Sequence, residues 1–219
     1  MPDLAAQILS ALPQTQCTRC GYPDCAGYAQ AIAAGEAGIN QCPPGGAQGI
    51  ERLARITGRD LRALNPANGV EAPLAVAVID EAWCIGCTLC LPVCPTDAII
   101  GSNKRMHTVL EPHCTGCALC LPVCPVDCIR MEDVSGLRTG WDAWSQPQAD
   151  SAAQRYAWHR ARSVRALEEN GQRLQARAQA KLSDLGAHSQ ITDPDELQKK
   201  RRVIEAALER ARARRVPPP

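Results

Sequence analysis

The sequence predicts an α+β protein in three parts: a small helical module, a pseudo-two-fold middle with short strands, and an all-α C-terminal extension. Three observations predict it. The 219 residues include 13 cysteines, far above ordinary usage, and twelve of them fall into three spaced sets. Two of the sets repeat at an offset of thirty residues, CIGCTLCLPVCPTDAI being answered by CTGCALCLPVCPVDCI, which marks an internal duplication. Past Gly140 the chain turns to Ala, Arg, Gln and Leu at helical spacing. The parts are expected at 1–60, 74–136 and 137–219, with a linker at 61–73.

The first part opens on DLAAQILSAL (3–12), a short amphipathic helix stopped by Pro13. Ala26–Glu36 is Ala-rich and reads as a second helix, and Ala47–Ile56, stopped at Gly58, as a third. Around them stand Cys17-x2-Cys20-x4-Cys25 and, farther on, Cys42 before Pro43-Pro44-Gly45-Gly46. So small a unit needs a metal or similar staple. A pair, a third and a distant fourth Cys admit either structural zinc or an iron–sulfur cluster. Residues 58–73 carry the Asn-Pro, Asn-Gly and Ala-Pro punctuation of a linker.

The middle part holds Cys84-x2-Cys87-x2-Cys90-x3-Cys94-Pro95 and Cys114-x2-Cys117-x2-Cys120-x3-Cys124-Pro125. This is the ligand spacing of bacterial two-cluster ferredoxins, in which the fourth Cys of each run serves the other run's [4Fe–4S] cluster. The expected sets are therefore Cys84, Cys87, Cys90 and Cys124, and Cys114, Cys117, Cys120 and Cys94. Gly86 and Gly116, each just before a second Cys, can take positive φ and turn N–H groups towards cluster sulfurs. Pro95 and Pro125 turn the chain away after the fourth ligand. Three Cys in seven residues do not suit the two separated pairs of a structural zinc site, and nothing points to the oxidising compartment that disulfides require. Leu74–Ile79 and Met106–Leu110 read as equivalent strands, with a turn at Gly101–Arg105 between the repeats. Trp83 and His113 precede the two runs and are candidates for shielding a cluster, with ordinary packing the plainer role. Asp97 and Asp127 are expected to cap short helices after each Cys-Pro. Cys128, the thirteenth cysteine, is left over; its repeat partner is Ala98, which suggests a small buried site.

LPQTQCTRCGYPDCAGYAQAIAAGEAGINQCPPGG followed by the double Cys run resembles, over about residues 4–134, the B subunit of the Rnf ion-translocating electron transport complex. The resemblance implies that Cys17, Cys20, Cys25 and Cys42 also bind a [4Fe–4S] cluster, giving three clusters in all. Members of that family in the membrane complex usually begin with a hydrophobic anchor helix. Here Cys17 follows a short, mostly polar lead, so the expectation is a form lacking the anchor.

In the last part, residues 149–185 read as one long helix with a thin stripe of Ala153, Ala157, Ala161, Val164, Leu167, Leu174, Ala178 and Leu182, interrupted by Gly171. Asp193-Pro194-Asp195-Glu196 is a helix start, with Asp193 as N-cap, Pro194 as first residue and Glu196 as reciprocal partner, for a helix over about 194–213. Trp141 and Trp144 lie in the connection and are expected to pack on the ferredoxin body. The basic clusters Lys199–Arg202 and Arg210–Arg215 read as a solvated face near a helix C-terminus, where the dipole favours cations. No aromatic interleaving supports a nucleic-acid partner.

The net charge of +1 hides a split: residues 1–150 carry 9 basic and 15 acidic side chains, net −6, and residues 151–219 carry 15 and 8, net +7. The N-terminus lacks the basic start and apolar core of a secretory signal, and the longest apolar run, Leu74–Ile79, is too short to cross a bilayer. The expectation is a cytoplasmic protein, with peripheral contact at the cytoplasmic face of the inner membrane the other option. No nucleotide loop, flavin motif or nucleophile–base pair is visible. The function expected is therefore electron carriage through three [4Fe–4S] clusters, at potentials on the order of −400 mV, without an independent active site. Its partners are a reductase donor and an acceptor protein. The alternative is service among the other subunits of an Rnf-type membrane complex. A regulatory or nucleic-acid-associated role rests on the basic tail alone.

Overall fold

The computed structural model describes residues 3–213, and two compact units divide the chain between Arg160 and Ala161. The first begins with three helices. Helix α1 (Leu4–Ala11) is capped by Asp3, whose carboxylate accepts the Ala6 N–H at 2.8 Å. Helix α2 (Cys25–Ala34) is capped in the same way by Asp24 on the Gly27 N–H at 2.7 Å, and ends at Gly35 in the left-handed region. Helix α3 (Gly46–Thr57) ends likewise at Gly58. Their apolar faces meet in a core of Ile8, Leu12, Tyr28, Ile32, Ile39, Ile50 and Leu53. The buried Tyr28 hydroxyl donates to the Gly38 carbonyl at 2.8 Å and accepts the Gln41 N–H at 3.0 Å, which fastens the loop before Cys42.

Residues 58–73 have the turn chemistry of a linker, yet they are tied down along their length. The Asn65 N–H donates to the Asn40 carbonyl at 2.8 Å, and the Asn40 amide donates to the Ala63 carbonyl at 2.7 Å. The Glu71 carboxylate accepts the Ala47 N–H at 2.9 Å and the Thr139 hydroxyl at 2.6 Å.

Next come strand β1 (Ala75–Ile79), the single turn α4 (Cys90–Val93), and strands β2 (Ile99–Ile100), β3 (Thr108–Val109) and β4 (Ile129–Asp133). Strand β1 pairs antiparallel with β4, from Ala75↔Asp133 to Ile79↔Ile129, and β2 pairs antiparallel with β3, Ile99 facing Val109. Each Cys run therefore has one strand before it and one after. The strands that follow the runs, β2 and β4, are additions to the sequence reading. Asp97 and Asp127 do not cap helices: both have φ +50° and lead straight into those strands. Asp tolerates the left-handed region because its short polar side chain bonds locally. The short helix in the first repeat precedes the Cys-Pro rather than following it.

Beyond the sheets lie α5 (Gly140–Ala143) and α6 (Gln146–Ser183). Trp141 and Trp144 are buried with Ala149 and Ala152, and the half-buried Leu74 packs against them. Their seat includes the N-terminal helices: the Trp144 indole N–H donates to the Pro13 carbonyl at 2.9 Å, and the Arg52 guanidinium of α3 lies 3.5 Å from the Trp141 ring centroid. The start of α6 holds several loops. The Arg155 guanidinium donates to the Thr96 carbonyl at 2.8 Å, the Tyr156 hydroxyl to Asp24 at 3.1 Å, and His159 Nδ1 lies 2.7 Å from Asp97.

In the second unit α6 runs on unbroken through Gly171, with Val164, Leu167 and Leu174 exposed. Helix α7 (Pro194–Ala213) starts at Asp193, whose carboxylate accepts the Asp195 and Glu196 N–H groups at 2.8 and 3.2 Å. The reciprocal half of the expected capping box is replaced: the Glu196 carboxylate takes Lys199 Nζ at 2.7 Å. Of the basic cluster Arg210–Arg215, Arg214 and Arg215 and the side chain of Arg212 lie outside the described residues. Among the described residues no helix is long and apolar enough to cross a membrane.

Tyr28→Phe leaves the Gln41 N–H and the Gly38 carbonyl without this partner and is expected to lower the unfolding free energy by about 1–3 kcal/mol. Anaerobic urea titration of variant and parent measures it.

Candidate metal centres

No disulfide joins any of the 13 cysteines. Those of the middle part line two cavities. The first is bounded by Cys84, Cys87, Cys90 and Cys124, with Ile79, Ile85, Val126 and Ile129 between them. The second is bounded by Cys114, Cys117, Cys120 and Cys94, with Ala77, Ile99 and Val109. The fourth Cys of each run thus faces the other run's cavity. Gly86 and Gly116 have φ of +67° and +69°, and a Cβ at either would stand 2.5 Å from backbone, of Arg105 and Ala75 respectively. Only glycine lets the loop pass so close.

Backbone N–H groups point at the thiols. Ala77 N–H reaches Cys114 Sγ at 3.4 Å, Ala98 N–H reaches Cys94 Sγ at 3.2 Å, and His107 N–H reaches Cys84 Sγ at 3.4 Å. The thiols also press on one another's charge. Burial, followed by the neighbouring charges of Cys87, Cys84 and Cys124, pushes Cys90 up to about 11. Burial, then Cys117, Cys114 and Cys94, pushes Cys120 up to about 12. Burial also raises Cys117 to about 11. No carboxylate lines either cavity.

In the first part, Cys17 and Cys20 lie on the loop before α2, Cys25 opens α2, and Cys42 precedes the 3₁₀ turn Pro43–Gly45. The Cys25 N–H is held by Gln16 Oε1 at 2.9 Å, and Gln16 in turn donates to Gln14 Oε1 at 3.1 Å. Burial pushes Cys25 up to about 12, with Cys17 and Cys20 adding to the rise. Burial, then the charges of Cys25, Cys17 and Cys20, raises Cys42 well above the usual thiol range. The four therefore converge electrostatically. Four thiols with backbone N–H groups beside Cys20, Cys25 and Cys42 are a donor set that fits an iron–sulfur cluster, whose ligands sit on separate iron corners.

Trp83 is 69% exposed, and among the described residues lining these two cavities neither it nor His113 is found; the His113 carbonyl instead accepts the Thr96 hydroxyl at 2.7 Å. Sequence reading passed over a different histidine. His107 lines the first cavity, its Nδ1 at 3.5 Å from Cys90 Sγ and 3.7 Å from Cys84 Sγ. The offset of thirty that pairs it with Ala77 was the available signal. Cys128 is buried as expected, and it also lines the first cavity, 3.5 Å from Cys124 Sγ. Burial opposes ionisation of Cys124, but the N–H groups of Val126 and Cys128 and the Cys128 thiol draw it below the usual range. Cys128 itself is pushed up to about 12, by burial and by its bond to Cys124.

Duplicated strand pairs around two crossed four-thiol cavities, with a third four-thiol module in front, define an iron–sulfur protein. Residues 77–131 match the family described as "4Fe-4S dicluster domain", and residues 12–44 the family described as "Putative Fe-S cluster". The chain is 60% identical over 144 residues to the B subunit of the ion-translocating oxidoreductase complex of Azoarcus sp. (strain BH72), covering 66% of this chain and 78% of the relative. It is 55% identical over 107 residues to the corresponding B subunit of Thiobacillus denitrificans (49% and 57%) and 53% identical over 156 residues to that of Alkalilimnicola ehrlichii (70% and 83%). No solved structure matches. The chain belongs to the family of B subunits of ion-translocating oxidoreductase complexes, as its motifs implied.

Thiols raised to about 11 or 12 keep their protons at neutral pH and must release them to ligate metal. Reconstitution of the iron-free chain with ferrous iron and sulfide is expected to strengthen steadily from pH 6 to pH 8. An anaerobic titration with absorbance and proton-release readouts checks it.

Proposed function

We propose that this chain is the electron-carrying B subunit of an ion-translocating oxidoreductase complex, with three [4Fe–4S] centres. The observation that carries the reading is the crossing of Cys94 and Cys124 between two thiol-lined cavities whose other walls are mostly apolar. Each bound cluster supplies a one-electron redox centre. The chain's own residues exclude water, aim N–H groups at sulfur and hold the centres at fixed separations. Cys84, Cys87, Cys90 and Cys124 hold one centre, Cys114, Cys117, Cys120 and Cys94 the second, and Cys17, Cys20, Cys25 and Cys42 the third.

The N-terminal set adjoins the second cavity. The buried Thr115 hydroxyl, between Cys114 and Cys117, donates to the Thr15 carbonyl at 3.0 Å, two residues before Cys17. Tyr156 holds Asp24 beside Cys25, while Arg155 and His159 hold Thr96 and Asp97 just past Cys94. The start of α6 thereby grips the surroundings of both sets. In this reading the chain has no separate catalytic site. Its partners are a reductase donor, an acceptor and other subunits of the complex, and contact with the membrane is peripheral.

Anaerobic purification is expected to give about twelve iron and twelve sulfide per chain. About eight iron with one zinc would make the N-terminal module a structural zinc site instead. The crossing has its own test by EPR on stepwise reduction. Cys94→Ser and Cys114→Ser should perturb one and the same signal, and Cys124→Ser and Cys84→Ser another. Perturbation of one signal by Cys84→Ser and Cys94→Ser together would refute the assignment.

A further inference from the structure

Two departures from the internal repeat fall on the same cavity. At the offset of thirty, Ala98 is answered by Cys128 and Ala77 by His107. The backbones are equivalent: the Ala77 N–H meets the first thiol of the second run, and the His107 N–H meets the first thiol of the first run, each at 3.4 Å. The side chains differ. The second cavity receives a methyl group and the first receives an imidazole.

His107 is 1% exposed. Its Nδ1 faces two sulfurs, those of Cys90 and Cys84, and its Nε2 is buried with no hydrogen-bond partner. Thiolate sulfur only accepts, so the proton that makes these contacts favourable is on Nδ1. The ring also has a place made for it. A Cβ on Gly101 would stand 2.0 Å from His107 Cδ2. Continued one step, the β2–β3 register sets Gly101 opposite His107, whereas the equivalent pair in the other half is Ala77 opposite Met131. Small faces large in both halves, with the large residue moved to the other strand.

We propose that His107 donates a hydrogen bond from Nδ1 to the thiolates of the first cavity, so that the centre held there has a higher reduction potential than its twin and is reduced first. Reduction adds a negative charge shared by the ligand sulfurs, and an N–H aimed at them favours the reduced form. The second cavity, with Ala77 in that place, lacks the donor. The inference rests on the three-centre reading above and adds to it the inequivalence of the two duplicated centres.

The test is an EPR-monitored potentiometric titration of the intact, cluster-loaded chain, the His107→Ala variant and the Gly101→Ala variant, each with its iron count. Pulsed EPR on the parent labelled with ¹⁵N-histidine accompanies it. The parent should show a histidine nitrogen coupled to the centre reduced first. In His107→Ala that coupling should vanish and the higher midpoint should fall towards the lower one, which stays in place. Gly101→Ala, which displaces the ring without removing it, should give a smaller shift of the same midpoint. Full iron with neither midpoint moved, or both moved equally, overturns the role of His107 and leaves the three-centre reading intact. Absence of a histidine coupling in the parent overturns it as well, even if the variants fail to load. A parent without two distinct [4Fe–4S] signals from the duplicated part overturns both.

Discussion

The crossing of Cys94 and Cys124 into each other's half is the constraint on which the middle of the molecule depends. Two two-stranded sheets of five and two residue pairs do not make an independent domain by strand pairing alone. The core between them is small, and a unit of this size gains only about 3–5 kcal/mol from hydrophobic burial. The buried residues that build it, other than Val76, Ala77, Ile79, Ala98, Ile99 and Ile129, are all cysteines. The proposed ligands thus serve also as packing side chains. The raised thiol pKa values express the same dependence: brought together without metal, these groups favour the protonated form. A cluster held by these thiols, as proposed above, would remove that conflict and lock the strands that carry them.

The N-terminal helices solve a different problem. They have an apolar core of their own around Tyr28 and Ile32, so their fold does not rest on thiols to the same degree. What they require in addition is a rigid attachment to the duplicated part. That attachment is polar and specific: Thr115 on Thr15, Glu71 on Ala47 and Thr139, Trp144 on Pro13. The start of α6 adds four side chains, Arg155, Tyr156, His159 and Arg160, that reach loops on either side. Electron transfer between fixed centres requires constant separation, and directional hydrogen bonds at a buried junction hold distance better than a sliding apolar contact would.

Much of this was legible in the sequence because cysteine spacing is a strong signal. The two Cys runs, the placing of Cys94 and Cys124 each at the other run's cavity, the three N-terminal helices and the family itself all followed from local patterns. The residues that were missed depend on partners distant along the chain. Asp97 looked like a helix cap because its residue type suits one, but its carboxylate serves His159, sixty-two positions away. Strands β2 and β4 have too few alternating residues to stand out, and they exist because β3 and β1 pair with them. Trp83 and His113 drew notice by standing next to cysteines, whereas the residue that reaches the sulfurs, His107, is seven positions from Cys114 and faces Cys84 and Cys90 across a turn. His107 became visible only when the two halves were laid over each other.

The same crossing has a consequence for biosynthesis. The four thiols of the N-terminal module are complete once residue 42 has left the ribosome. The walls of the first cavity span residues 79–129 and include Cys124, so that cavity stays open until nearly the whole duplicated part has emerged. The second closes with Cys120, slightly earlier, although its fourth wall, Cys94, has been waiting since the first run was made. The four thiols of the first run are therefore exposed to oxidant, or to the wrong metal, for the time it takes to synthesise some thirty residues. Delivery of iron to this chain is consequently a matter of timing as much as of affinity.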